Sequence, residues 1–181
     1  MQLSATVRNA LLDSIETAIG VSPTMKIFDG AMPANVATAD AGTVLGTLTL
    51  PSDWMAAANA SAKAKSGTWQ DAGADASGLA RYYRIYAGAT CHLQGLCGQN
   101  WAGSTVYVLN QHVVNGNNVY KCTTAGTSAS SGGPTGTGTG ITDGTCVWDY
   151  VGPKEMVLDN TNVAAGQQIT VNTYQWNAGN A

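Results

Sequence analysis

Charged side chains are scarce in this sequence, at 10% of its 181 residues, against about a quarter in an ordinary soluble protein. The surface must therefore be built mainly from uncharged polar side chains, glycine and backbone. Such a surface suits a protein whose faces are covered by neighbouring chains better than a free, concentrated monomer. We therefore expect an assembly, as a homo-oligomer or with other proteins, and a trimer is our working expectation.

Clusters of positive charge and long apolar runs are also missing. The eight Lys and Arg residues form no run or stripe, and the net charge is −3, which argues against direct binding of nucleic acid. No stretch reaches the roughly 18 apolar residues of a membrane helix, so we expect no membrane association. The first twenty residues lack a basic segment followed by an unbroken apolar one, so we predict no signal peptide and synthesis in a cytoplasm.

Catalytic motifs and metal-ligand spacings are absent from the sequence too. The acidic residues are scattered, and Cys91 and His92, as neighbours on a strand, should point to opposite faces. We predict no enzyme, no metal and no cofactor. The four cysteines, which fit no zinc-site spacing, leave two interpretations open. They are buried small side chains, or Cys122 and Cys146 form a disulfide in an oxidising medium.

What is present begins with an amphipathic helix near the N-terminus. Ser4 is a good N-cap, and Gly20 can take the left-handed position past the helix end. Between them an apolar stripe recurs every four residues, at Leu3, Val7, Leu11, Ile15 and Ile19. We predict that this stripe packs against the core or against another subunit.

Short strands separated by Gly, Asn and Pro turns follow the helix. "TMKIF", "VLGTLTL" and "QITVNTYQW" are typical strand segments, and "YYRIY" should place Tyr82, Arg84 and Tyr86 on one face and Tyr83 and Ile85 on the other. The segment 53–60 is either one helical turn or a loop. The pattern predicts a mainly β protein: an antiparallel β-sandwich or jelly-roll-like domain with one N-terminal α-helix.

The segment 100–152 differs in composition from its flanks. It has two strands around an "NGNN" turn, a low-complexity stretch at 123–140, and a closing "DG" turn followed by an aromatic strand. We predict an anchor domain formed by 1–99 and 153–181, with 100–152 as a small inserted all-β module. The module should replace a hairpin loop, so its ends should lie close together and the anchor should fold without it.

The flanks carry the first of two resemblances. "LSATVRNALLDSIETAIGVSP", "LTLPSDWMAAA", "YRIYAGATCH" and "MVLDNTNVAAGQQITVNTYQWNAGNA" resemble a family of uncharacterised structural proteins of tailed bacteriophages. This resemblance implies a virion protein, and we expect a capsid decoration protein that binds the major capsid protein or other virion proteins. The alternative is a tail-fibre or receptor-adhesion protein.

The insert carries the second resemblance. Trp101, "YVLN" at 107–110, "NVYKC" at 118–122 and "DGTCVWDYVG" at 143–152 resemble small carbohydrate-binding modules of phage tail proteins and chitinases. In such modules exposed aromatic rings stack on sugars. The resemblance implies glycans as ligands, with Trp101, Tyr107 and Tyr150 as the candidate binding residues, whereas alternating apolar neighbours predict that Tyr120 and Trp148 build the core.

Overall fold

A computed structural model describes residues 2–179; residues 1, 180 and 181 of the predicted anchor lie outside the described part. Residues 2–179 form one helix and sixteen strands. The helix is α1 (Ala5–Ile19). The strands are β1 (Thr24–Phe28), β2 (Val44–Thr49), β3 (Ala62–Ala64), β4 (Gln70–Asp71), β5 (Gly78–Leu79), β6 (Tyr82–Ala87), β7 (Thr90–Asn100), β8 (Val106–Tyr107), β9 (His112–Asn115), β10 (Asn118–Thr124), β11 (Gly126–Thr127), β12 (Ile141–Asp143), β13 (Cys146–Pro153), β14 (Met156–Leu158), β15 (Asn162–Val163) and β16 (Ile169–Asn177).

Both predicted ends of α1 are confirmed. The Ser4 hydroxyl accepts a hydrogen bond from the Val7 amide at 3.3 Å, and Gly20 adopts a φ of 90° while its amide donates to the Glu16 carbonyl. These contacts satisfy backbone groups that have no partner inside the helix. The segment 53–60, whose form was left open, is a loop in which Trp54 and Met55 are buried.

The predicted mainly β class is confirmed. One long sheet has the strand order β12-β13-β10-β9-β7-β14-β16-β3, and β1, β2, β4 and β6 branch from it. Most pairs are antiparallel, and β6 and β7 form the longest hairpin, from Tyr82 opposite Leu96 to Ala87 opposite Thr90. The arrangement is consistent with a β-sandwich with an N-terminal helix.

The main core is rich in large aromatic rings. Trp54, Trp69, Tyr83 and Tyr174 are at most 2% exposed and pack together. The Trp69 and Tyr174 rings lie 5.0 Å apart, and Tyr83 meets Tyr174 edge-on at 5.4 Å. Ring pairs of this geometry add to the stability gained by burial.

Strand β6 is buried on both faces, which the alternation of its residues did not predict. Its second face is covered by the loop 29–43. Within that loop the Asp40 carboxylate binds Arg84 at 2.6 Å, and the Ala41 carbonyl accepts from the Tyr82 hydroxyl at 2.7 Å. Arg84 is consequently only 2% exposed yet fully paired.

The insert has its own small core but shares the sheet with its flanks. Its core contains Tyr107, Tyr120 and Trp148. Strand β9 pairs with the end of β7 in parallel, from Gln99 opposite Val113 to Asn100 opposite Val114. The sheet therefore runs without a break across the predicted domain boundary.

The prediction that the insert replaces a hairpin loop is wrong. Strands β7 and β14 flank the insert and lie side by side, with Met156 opposite Cys97, but they run in parallel. Parallel neighbours need a crossover connection of a dozen or more residues. The insert supplies that connection, and its Val114 and Val119 pack on Val157 of β14.

Candidate functional site

The side of α1 that faces the protein carries several polar side chains beside the buried Leu12 and Ile19. Three of its side chains accept hydrogen bonds from the backbone of the loop 55–61: Glu16 from the Met55 amide, Asp13 from Ala58 and Asn9 from Ser61, at 2.8–3.1 Å. The loop would otherwise leave these amides without partners. The helix is thus held by these hydrogen bonds together with the apolar contacts of Leu12 and Ile19.

Lys63 lies at the centre of this polar contact. Its ammonium, in a side chain 2% exposed, lies 2.6 Å from Asp13 and 2.8 Å from Glu16, and it donates to the Ala56 carbonyl at 2.9 Å. Burial alone would lower the pKa of Lys63, but the two carboxylates outweigh that effect and raise it. The hydrogen bonds from Lys63 and the Ala58 amide lower the pKa of Asp13. The cation is therefore retained, with all its donors used.

The predicted apolar stripe of α1 points mostly outward. Val7, Leu11 and Ile15 are 44%, 50% and 37% exposed, and we call these three side chains the outer face of α1. Only Ile19 of the stripe is buried, together with Leu12, which the four-residue spacing did not include. The prediction of core packing is wrong for the outer face, because the polar side of the helix binds the loop. Packing against another subunit remains a prediction.

Of the three predicted sugar-binding rings, Tyr107 has no exposed surface. Its ring meets Trp148 edge-on at 5.1 Å, and its hydroxyl accepts from the Ala102 amide at 2.7 Å. A ring without exposed surface cannot stack on a sugar, so this assignment of Tyr107 is corrected: it is a core residue. Tyr120 and Trp148 are buried as predicted.

Trp101 and Tyr150 are half-buried, and both pack against the core of the insert. The Trp101 indole donates to Asp143 at 2.7 Å, and Tyr150 meets the Tyr120 ring edge-on at 6.2 Å. Their role in sugar binding stays a prediction.

Sequence reasoning missed Asp143, which organises the insert. Its carboxylate is 5% exposed and accepts hydrogen bonds from the indoles of Trp101 and Trp148 and from the Ala129 amide. A carboxylate that accepts several hydrogen bonds is well suited to burial. Its place in the "DG" turn suggested only a turn residue.

The low-complexity stretch 123–140 is held against the rest of the insert by hydrogen bonds to its backbone carbonyls. Asn115 donates to the carbonyls of Gly132 and Pro134, and the Tyr120 hydroxyl donates to Gly136 at 2.9 Å. Side-chain donors at the "NGNN" turn thereby replace the missing apolar contacts.

A polar cavity of about 440 Å³ lies where the insert meets the flanking strands, between Asn117, Glu155 and Gln175. The Glu155 carboxylate accepts from the Tyr83 hydroxyl at 2.9 Å, and the Trp176 indole donates to Tyr174 behind it. Burial raises the pKa of Glu155, and the Tyr83 hydrogen bond only partly opposes this.

Within residues 2–179 no three His, Cys, Asp or Glu side chains come together as a metal site. The one helix among these residues lacks the length and the apolar character of a membrane span. All four cysteines are free thiols, so Cys122 and Cys146 are not bridged in this structure. Burial raises the pKa of Cys122 to about 11, which disfavours the reactive thiolate.

Comparisons with known proteins give no relative for this chain. No family model matches it, and no significant match is found among curated proteins or solved structures. Support for a function therefore comes from the geometry above and from the resemblance that the flanking segments carry.

Proposed function

We propose that this chain is a structural protein of a tailed-phage virion, and specifically a decoration protein that binds the outside of the capsid. The outer face of α1 makes the contact, with the major capsid protein as its partner. Such a protein acts by burying surface across joints between capsid subunits, which stabilises the assembled state by mass action.

The observation that carries this proposal is the reversed orientation of α1. Its charged side chains Arg8, Asp13 and Glu16 point toward the protein, where they bind Ala178, Ala58 and Lys63 among others. Its outer face is left without a single charge. Apolar surface that is exposed in this way, in a chain with so few charges, is typical of a contact surface.

The strand order supports separate places for binding and display. Strand β3, beside α1, is one edge of the long sheet, and β12 of the insert is the opposite edge. Six strands separate β3 from β12 along this order. A capsid contact at α1 would therefore use a different edge of the sheet from the one that the insert forms.

The test is binding to particles that lack this protein. The double variant L11E/I15E places two carboxylates on the outer face and should lose binding while keeping the wild-type urea midpoint. The matched control is V106E, which changes a valine 71% exposed on the insert and should bind normally. If L11E/I15E binds as wild type does, the proposal for α1 is wrong.

The other partner for the outer face is a second copy of this chain, within a trimer. Light scattering separates the two: a monomer that binds capsids supports the capsid contact, whereas a trimer that L11E/I15E dissociates assigns the outer face to copies of this chain.

The alternative function, adhesion to host-surface glycans from the tail, has its own observation in the insert. Val106, Val108 and Leu109 form an exposed apolar segment beside the buried Tyr107, and Trp101 and Tyr150 keep part of their rings exposed. Binding of whole particles to a glycan array, lost in W101A or Y150A, would support adhesion; no glycan binding by wild-type particles would remove it.

A further inference from the structure

A second cavity lies on the face of the sheet where the insert meets the flanking strands. Its volume is about 210 Å³, and its walls come from four parts of the chain: the loop 30–32, Arg81 just before β6, Leu96 of β7, and His112, Lys121 and Val151 of the insert. This is a different place from the cavity at Glu155 and from the outer face of α1.

The charges around this cavity are all of one sign. Arg81 and Lys121 supply two cations, and no carboxylate among residues 2–179 lines it. This is unusual in a chain with eight Lys and Arg against eleven Asp and Glu. Asp149 lies opposite Lys121 on the neighbouring strand, but its carboxylate accepts from the Gly140 amide at 2.9 Å and does not line the cavity.

Both cations have unused hydrogen-bonding capacity. The Nε of Arg81 is buried without a hydrogen-bond partner, and within residues 2–179 the guanidinium makes a single hydrogen bond, a long one of 3.4 Å from Nη1 to the Asp29 carbonyl. The Lys121 ammonium makes no hydrogen bond or ion pair with any of residues 2–179. The buried Nε is out of reach of a molecule in the cavity, but the Nη groups of Arg81 and the Lys121 ammonium keep donors that a bound acceptor would use.

His112 also lines the cavity, with an uncharged imidazole ring. It is 4% exposed, and its Nδ1 lies 3.2 Å from the Cys97 carbonyl. Burial lowers its pKa to about 4, and the nearby charges of Arg81 and Lys121 act in the same direction. At neutral pH the cavity therefore presents two cations beside a neutral imidazole.

We propose that this cavity binds a small oxyanion, a phosphate or a carboxylate, between Arg81 and Lys121. Arg81 presents a guanidinium whose planar donors match the oxygens of such groups, and Lys121 supplies the second charge. Leu96 and Val151 give the cavity an apolar side, which suits a carboxylate attached to a small apolar group. Arg81 comes from the predicted anchor and Lys121 from the insert, so neither part alone makes the site. The proposal is independent of the virion function.

The two histidines of the chain make the test specific. His112 lies in the cavity, whereas His92 is an exposed residue of β7, so the ring protons of His92 are an internal control in NMR spectra. Inorganic phosphate and acetate are titrated separately, at constant pH and ionic strength. We expect the His112 signals to move to saturation in the millimolar range with at least one of them, while His92 stays still.

Three variants assign the binding. Arg81→Gln and Lys121→Gln should each weaken it about tenfold, the equivalent of one charge-assisted hydrogen bond. The control Lys65→Gln removes a cation beside Trp69 and should leave it unchanged. Lys121 is a partly exposed strand residue, so Lys121→Gln remains informative if Arg81→Gln fails to fold.

Saturation with phosphate alone makes the site a phosphate site, and saturation with acetate makes it a carboxylate site; either result supports the proposal. No saturable movement of His112 with either anion would overturn it. Equal movement of His92 and His112, or unchanged affinity in both cavity variants, would mean general charge screening and would overturn it as well.

Discussion

Replacing Lys63 by Met tests whether α1 is held by its polar side. The substitution keeps the apolar stem and removes the ammonium, so Asp13 and Glu16 lose their shared cation and the Ala56 carbonyl loses a donor. Removing one partner of a buried ion pair costs about 3–5 kcal/mol. The side chains of Asp13 and Glu16 are 48% and 20% exposed, so water recovers part of this, and we expect a loss of about 2–3 kcal/mol.

Urea unfolding measures this loss, at a protein concentration where light scattering shows one oligomeric state. A loss of that size corresponds to a fall in the melting temperature of roughly 5–10 °C for a chain of this length. The matched control is Leu11→Gln, on the outer face of α1. Glutamine is a good helix former, so this change should alter stability by less than about 0.5 kcal/mol. If Leu11→Gln costs as much as Lys63→Met, the apolar side of α1 is the packed one and the account of the helix is wrong.

Four further predictions follow, one on α1 and three on the region where the insert joins the sheet. Burial raises the pKa of Glu155 above its ordinary value of 4.5, so the stability that its protonated form contributes is lost as pH rises through the raised pKa. In urea titrations Glu155→Gln should therefore gain stability relative to wild type as pH rises above 4.5. Asp13→Asn should lose stability relative to wild type above pH 3.8, because the lowered pKa of Asp13 stabilises the fold there and this contribution disappears in acid. If the stability of both variants followed the wild-type pH dependence, the assigned pKa shifts would be contradicted. Gly95→Ala should strongly lower the melting temperature, since its Cβ would lie 2.0 Å from a Glu155 oxygen and 2.6 Å from the Tyr83 hydroxyl; a wild-type melting curve would refute this packing. Replacing 99–153 by a short Gly linker between Gly98 and Lys154 should give an unstable or aggregating protein, as size-exclusion chromatography would show. The parallel strands β7 and β14 need a long crossover, and Val157 loses its contacts with Val114 and Val119. A stable monomer would support the prediction of an independent anchor domain.

Local sequence signals predicted the local structure well. The caps of α1 were readable because Ser4 and Gly20 act within one helical turn of the residues they serve. The strand segments were readable from their β-branched and aromatic residues, and so was the burial of Tyr120 and Trp148.

Contacts between distant segments were not readable. The orientation of α1 depends on Lys63 and the loop 55–61, some fifty residues away in the chain, and a periodic apolar stripe does not tell whether the stripe or the opposite side is covered. The parallel pairing of β7 with β9 and β14 has no sequence signature of its own, because β9 and β14 are short segments. Tyr107 was misassigned for the same reason, because its partner Trp148 lies at the far end of the insert.

The most direct test of the virion proposal is the number of copies of this protein in phage particles purified from cells that carry its gene. Quantitative mass spectrometry gives that number relative to the major capsid protein. A decoration protein that follows the capsid lattice should be present at on the order of hundreds of copies per particle. A dozen copies or fewer would favour adhesion from the tail, and absence from purified particles would contradict the virion account altogether.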